Sequence, residues 1–129
     1  MIKAKSTKSA MATVFVIAAI SQLSLVFAET TNLDSMTTRE FLSRCDSDQT
    51  TWCAGRIVNV EIAEMLSQSL NNQPHSICAP PKGSQQTREY MKAIQVAVTN
   101  WLKQQIDRVS PTPSKAVAQA LSALWPCEK

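Results

Sequence analysis

The chain has 129 residues, with 13 lysines and arginines against 10 aspartates and glutamates, so its formal net charge is +3. Lys3, Lys5 and Lys8 account for this excess, and residues 29–129 carry equal numbers of basic and acidic side chains. Binding to nucleic acid or to an anionic membrane requires a basic face. The composition of residues 29–129 gives no support to either function.

The first 28 residues have the pattern of a secretory signal peptide. The three lysines precede a mostly apolar run from Ala10 to Val26, and the small residue Ala28 stands at the expected cleavage position. A transmembrane helix is the alternative, but polar residues interrupt the run and no second apolar span follows. The first cysteine, Cys45, is too distant for a lipoprotein anchor. We therefore predict export to the periplasm, cleavage after Ala28, and a single domain of residues 29–129 without a membrane anchor.

Two helices are predicted in the first half of this domain. After a short leader of residues 29–36, the Thr-x-x-Glu pattern of a capping box starts a helix from Thr38 to Cys45. A second helix is predicted from Thr51 to Leu70, with Asp48 or Thr50 as its cap. Its residues 58–62 alternate as in a strand, but no hairpin turn or partner strand accompanies them. Apolar residues nearly all round this helix predict that it is central and largely buried.

Two more helices are predicted after a proline-containing connection. The third starts at Ser84 or Thr87 and continues to Arg108, and its apolar residues recur at helical spacing. The fourth follows Pro113, with Ser114 as its cap, and Pro126 ends it. The second and third helices have similar lengths and should pack antiparallel. The chain is therefore predicted to be a small all-α bundle of four helices.

The four cysteines are expected to form disulfides, because they belong to an exported chain. Gaps of 7, 24 and 48 residues separate them, and with a single histidine this spacing does not suit zinc. Three pairings are possible in principle. If the helices run up and down, Cys45 and Cys53 lie at one end of the bundle, and Cys78 and Cys127 lie at the other. We predict these two pairs, with no metal and no cofactor.

The cysteines stand in sequences that resemble one bacterial family. The pattern comprises Phe41-Leu42-x-x-Cys45 closing a short helix, Cys53 opening the next, Cys78-Ala79-Pro80 before a long helix, and a terminal Ala-Leu-x-x-Trp-Pro-Cys. Together these residues resemble the Rap1a/Tai family over positions 37–127. The bundle is also similar to the fold of HdeA-type acid-stress chaperones. The chain departs from the family pattern at two places. Relatives often carry an aromatic residue followed by glycine after the second cysteine, whereas this chain has Cys53-Ala54-Gly55-Arg56 and, further on, Asn59.

The resemblance implies a periplasmic immunity protein. Such a protein would bind a type VI secreted peptidoglycan amidase and occlude its active site, and family precedent implies a homodimer. An HdeA-type acid-stress chaperone is the alternative, together with a family member that has no immunity role. The partner-binding surface is not predicted by the sequence.

No catalytic residue is predicted. His75 is the only histidine, and it follows a proline in an asparagine-rich connection without a nucleophile motif. Glu61 and Glu64 are three residues apart on one helix, as paired catalytic carboxylates can be, but a solvated helix face explains them equally well. We therefore expect a binding protein and not an enzyme.

Tryptophans and loops are the remaining candidates for recognition. Trp52, Trp101 and Trp125 could anchor a partner, although packing beside the disulfides is the favoured interpretation. The connection from Asn71 to Gly83 and the turn from Pro111 to Ser114 are the most loop-like segments, and loops often carry recognition.

Overall fold

The computed structural model describes residues 33–48 and 51–128, and its regular structure is helical. The helices are α1 (Thr38–Asp46), α2 (Trp52–Leu70), α3 (Thr87–Gln104) and α4 (Pro113–Leu124). Within the described ranges there is no strand, and Ile77 and Pro126 form one isolated antiparallel bridge. The predicted all-α class with four helices is confirmed. The predicted signal peptide, residues 1–28, lies outside the described residues.

Helix α1 begins with the capping box that the sequence predicts. The Glu40 amide donates to the Thr37 hydroxyl at 3.2 Å, and the Thr37 amide donates to the Glu40 carboxylate at 2.7 Å. These bonds satisfy backbone donors that have no partner within the helix. Phe41, Leu42 and Cys45 then fall on one face and are buried.

Helix α2 is continuous from Trp52 to Leu70, so the strand alternative for residues 58–62 is wrong. Its first turn is capped by Asp48, whose carboxylate accepts the Cys53 amide at 2.8 Å. Its end is a Schellman motif: the Gln73 amide donates to the Gln68 carbonyl, and Asn72 adopts a left-handed conformation with φ of 51°.

Helix α3 ends at Gln104 and not at the predicted Arg108. Residues 105–108 continue as a turn, in which the Arg108 amide donates to the Gln105 carbonyl at 2.8 Å. This turn brings Ile106 and Val109 against the core. Burial of these two side chains accounts for the early end of the helix, since no proline or glycine marks it.

The start of α4 corrects two predictions. Ser114 is not the cap, because the helix begins at Pro113, with Thr112 before it. Instead, the Asp34 carboxylate accepts the Ser114 amide at 2.9 Å and the Ser114 hydroxyl at 2.6 Å. The prediction that residues 33–36 are only a leader is therefore wrong. Leu33, the first of them, is only 2% exposed.

We expect Asp34→Ala to lower the free energy of unfolding by about 1 kcal/mol, because two donors at the start of α4 lose their acceptor. The matched control is Asp107→Ala, which removes an exposed ion pair with Arg39 and should change stability by less than about 0.5 kcal/mol. Urea denaturation with the disulfides intact measures both. Equal losses in the two variants would contradict the capping role.

The core lies between the four helices. Its fully enclosed side chains come from every helix and include Phe41, Ile57, Val98, Leu102 and Leu121. Helix α3 contributes Ile94, Val98 and Leu102, and α4 contributes Val117, Ala120 and Leu121, as the predicted helical spacing requires. The connections between helices therefore surround a single core.

The disulfides join the two predicted pairs. Cys45 is bonded to Cys53, and Cys78 is bonded to Cys127. At the end of α3, the Lys103 ammonium bonds the Asp46 carboxylate, next to the Cys45–Cys53 bond that holds the start of α2. The end of α3 therefore lies near the start of α2, which supports the predicted antiparallel packing.

Candidate protein-binding surface

The outward side of α2 is apolar and uncovered by the rest of the described chain. Ile62, Leu66 and Leu70 are spaced by four residues, so they lie on one face of the helix. Ile62 is 39% exposed, Leu70 is 74% exposed and Leu66 is half-buried. We call the face formed by these three residues the α2 outer face. The prediction that α2 is largely buried is wrong for this half of the helix.

The contrast between the two halves of α2 explains this exposure. The buried residues of α2 are Cys53, Ala54, Ile57 and Val60, all in its first half. In the second half, Glu61 and Glu64 follow on the inward side, so polar groups occupy the positions that would continue the core. The apolar residues of that half consequently point away from the bundle. Only these two charges occur between positions 57 and 70, and the outer face has none.

At its N-terminal end the same side of α2 carries Gly55 and Asn59. Together with Thr51, Trp52 and Arg56 they line a shallow cavity of about 200 Å³. A Cβ atom placed on Gly55 would meet nothing within 4 Å, so the described fold does not require a glycine there. Glycine within a helix is about 0.5–1 kcal/mol less favourable than alanine.

Beside this cavity, Trp52 contacts two arginines. The guanidinium carbon of Arg44 lies 4.2 Å from the centroid of the Trp52 ring, and that of Arg56 lies 5.7 Å away. The ring of Phe41 supports Trp52 from the core, with 6.1 Å between the ring centroids. We call Arg44, Trp52 and Arg56 the arginine–tryptophan stack. Tryptophan and arginine are the residues most enriched among interface hot spots.

The other tryptophans do not form comparable surfaces. Trp101 and Trp125 are half-buried and pack against the core, as does Trp52. The preference for packing is thus correct for all three, but Trp52 also belongs to an open cavity, which the sequence does not indicate. Its contact with Arg44 joins two helices across the Cys45–Cys53 loop.

Glu61 and Glu64 have different neighbours in the fold. Glu61 is half-buried, and its charge acts on the phenol of Tyr90 in α3. Glu64 lies in a groove of about 560 Å³ shared with Lys115 and Gln119 of α4. The Glu61 carboxylate therefore acts on α3, whereas the Glu64 carboxylate faces α4.

Burial raises the pKa of the Glu61 carboxyl above its ordinary value. The pKa of Tyr90 is also raised, first by its own burial and then by the negative charge of Glu61. Tyr90 donates its phenolic hydrogen to the Pro80 carbonyl at 2.7 Å, which ties the ring to the connection between α2 and α3. Because the pKa of Glu61 is higher in the folded state than in the unfolded state, its ionisation destabilises the fold above that pKa. This penalty disappears as the pH falls below the unfolded value.

We therefore expect Glu61→Gln to increase the free energy of unfolding at pH 7. The gain should stay below about 1 kcal/mol, because solvent screens a half-exposed carboxyl. It should shrink towards zero near pH 3, where both states are protonated. Glu89→Gln, which removes an exposed carboxylate from α3, is the control. A less stable Glu61→Gln protein at pH 7, or an advantage of the same size at pH 3, would contradict this account.

His75 lies in the exposed connection after α2, as predicted. Its Nε2 atom is 2.8 Å from the Ser69 hydroxyl, a contact that the sequence did not indicate. Gln68 nearby exchanges two hydrogen bonds with Ser76. These bonds fold the start of the connection back onto the end of α2. A catalytic assignment would also need an orienting acid and an oxyanion site, and no bond to an acid accompanies the His75–Ser69 contact among the described residues.

The two predicted loop surfaces differ in accessibility. The connection from Asn71 to Gly83 is largely exposed apart from Ile77. The turn from Pro111 to Ser114 is partly covered, because Thr38 bonds the carbonyls of Ser110 and Pro111, and Asp34 bonds Ser114. The first segment adjoins the end of the α2 outer face, and the second supports the fold.

Comparison with known proteins identifies no relative. No family model, curated protein or solved structure matches the chain. Within residues 33–48 and 51–128, no cluster of histidine, cysteine, aspartate and glutamate has the arrangement of a metal site. In the same part of the chain, no helix is both long enough and apolar enough to cross a membrane.

Proposed function

We propose that this protein is a periplasmic immunity protein that binds a type VI secreted peptidoglycan amidase and occludes its active site. The observation that carries the proposal is the α2 outer face, which presents Ile62, Leu66 and Leu70 to solvent. Exposed apolar patches with a polar surround are typical of protein-binding sites. The Rap1a/Tai resemblance at the cysteines supports a secreted amidase as the partner. The signal-peptide pattern of residues 1–28 supports a periplasmic location.

The scaffold is suited to a binding role that does not require catalysis. Cross-links at Cys45–Cys53 and Cys78–Cys127 hold the ends of the helices. A surface that is already ordered loses less conformational entropy on binding, so more of its contact energy remains as affinity. Disulfides of this kind persist in an oxidising compartment such as the periplasm.

The family resemblance also implies a homodimer. We propose the α2 outer face as the alternative location of its interface. Two copies packed through uncharged faces would bring no like charges together, and a twofold interface uses the same patch on both subunits. Sedimentation equilibrium of residues 29–129 measures the oligomeric state. A dimer that leaves Ile62 accessible would be compatible with amidase binding through the face.

The proposal expects an amidase to be encoded beside the gene, and the direct test uses that amidase. Purified residues 29–129 should inhibit its digestion of peptidoglycan at a 1:1 ratio, and a deletion strain should be killed by sister cells that deliver the amidase. Full resistance of the deletion strain, or undiminished digestion at excess protein, would contradict the proposal.

An acid-stress chaperone is the second candidate, because it also requires apolar surface. A chaperone of that type must lose stability as the pH falls, whereas the raised pKa of Glu61 makes this residue's contribution more favourable at low pH. The long cross-link from Cys78 to Cys127 also opposes opening. Suppression of client aggregation at pH 2–3, together with increased dye binding, would favour the chaperone. A family member without an immunity role would neither inhibit an amidase nor suppress the aggregation of client proteins.

A further inference from the structure

The guanidinium of Arg44 contacts an aromatic ring but has no hydrogen-bond acceptor among the described residues. Its guanidinium carbon lies over the Trp52 ring, 4.2 Å from the centroid, and a guanidinium has five N–H groups that can donate to an acceptor. Among the described residues it makes no hydrogen bond or ion pair, although it stands in an exposed position at the end of α1. A cation held this way has already lost part of its rotamer freedom, so an incoming anion meets a prepared donor.

The charges around Arg44 favour an anion. Arg56 lies over the same ring, 5.7 Å from its centroid, and adds a second positive charge. Asp48 lines a cavity of about 360 Å³ with Arg44 and Trp52, but its carboxylate accepts the Cys53 amide. Asp46 is bonded to Lys103. The Arg44 guanidinium therefore faces this cavity beside one carboxylate, which already accepts a backbone donor, while Arg56 lines the separate cavity described above, which also adjoins Trp52.

We propose that the arginine–tryptophan stack binds a carboxylate of an acidic side chain on the protein partner. Arginine pairs with carboxylates through two parallel N–H···O bonds, and the N–H groups of Arg44 have no acceptor among the described residues. A nucleic acid or a sulfated glycan would need an extended basic surface. Residues 29–129 have as many acidic as basic side chains, so the positive charge here is local and suits one or two carboxylates.

The stack and the α2 outer face form one surface. Gly55 and Asn59 connect them along α2, since they line the cavity beside Trp52 and share the outward side with Ile62 and Leu66. A partner that covers the outer face and continues along α2 past Asn59 and Gly55 would therefore reach the arginine–tryptophan stack. The inference rests on the proposed function only in taking the occupant to be a protein.

A titration with a blocked peptide of six glutamates tests the site without the amidase, so its failure is distinct from failure of the immunity proposal. In ¹H–¹⁵N spectra of residues 29–129 at low salt, the Arg44 Nε and Trp52 Nε1 signals should shift and saturate. A peptide of six glutamines should leave them unchanged. Arg44→Gln should weaken binding at least about tenfold, because a bidentate charge-assisted pair is lost.

Two variants serve as controls. Arg44→Lys retains the charge without the planar fork and should bind with intermediate affinity. Arg88→Gln removes an exposed arginine at the start of α3, the end of that helix opposite to the one near the start of α2, and should bind like the original protein. Equal weakening by Arg44→Gln and Arg88→Gln would overturn the proposal. So would shifts of these signals with a heparin oligosaccharide of equal charge and none with the glutamate peptide.

Discussion

Loss of the Cys78–Cys127 disulfide should lower the free energy of unfolding by about 4 kcal/mol. The double variant Cys78→Ser, Cys127→Ser removes a cross-link that spans 49 residues and therefore restricts the unfolded chain strongly. In the fold, the same bond joins the connection after α2 to the segment after α4. Next to it, the Cys78 amide donates to the Trp125 carbonyl at 2.8 Å, and Ile77 is paired with Pro126.

Chemical denaturation under oxidising conditions measures this loss, and the same experiment in reductant is its control. Once every disulfide is reduced, the variant and the original protein both lack the bond and should be about equally stable. Cys78 is exposed, so serine introduces no buried hydroxyl there. A loss below about 1 kcal/mol in oxidising buffer, or an undiminished difference in reductant, would contradict the stabilising role of the bond.

A single charge on the α2 outer face should abolish partner inhibition with little effect on folding. We expect Ile62→Asp to weaken inhibition of the amidase at least about 100-fold, because the complex would bury an unpaired carboxylate against apolar surface. Ile62 is 39% exposed, so the free protein can hydrate the new charge. Inhibition constants for peptidoglycan digestion measure the effect, and thermal denaturation checks the fold.

Val96→Asp is the matched control for that variant. Val96 is a β-branched residue on α3 that is 46% exposed, and it lies outside the α2 outer face. The control should inhibit like the original protein. Equal inhibition constants for the two variants would show that the face is not the contact. If Ile62→Asp converted a dimer to a monomer and left inhibition intact, the face would belong to a second copy of the chain.

Local sequence signals predicted the fold well where the determining contacts are close in sequence. Thr37 and Glu40 form a capping box three residues apart, and Asp48 lies five residues before the amide that it caps. The cysteine pairing followed from helix order, because antiparallel neighbours leave only one pair at each end. These features depend on spacing, which a sequence displays directly.

Features that depend on distant residues were not predicted. Asp34 caps Ser114 from 80 positions away, and no local pattern links these residues. The α2 outer face was missed for a related reason. Ile62, Leu66 and Leu70 have the composition of buried residues, and only the packing of α3 and α4 reveals which side of α2 they leave uncovered. The stack of Arg44 on Trp52 likewise requires the Cys45–Cys53 loop to close.

The most direct measurement of the central claim is methyl cross-saturation in the complex of residues 29–129 with the amidase. Saturation of the amidase should reduce the methyl signals of Ile62, Leu66 and Leu70, while those of the buried Ile57 and Leu102 retain their intensity. Signal loss confined to Val96, or unchanged signals at the three outer-face residues in a complex that forms, would contradict the assignment of the α2 outer face as the partner-binding surface.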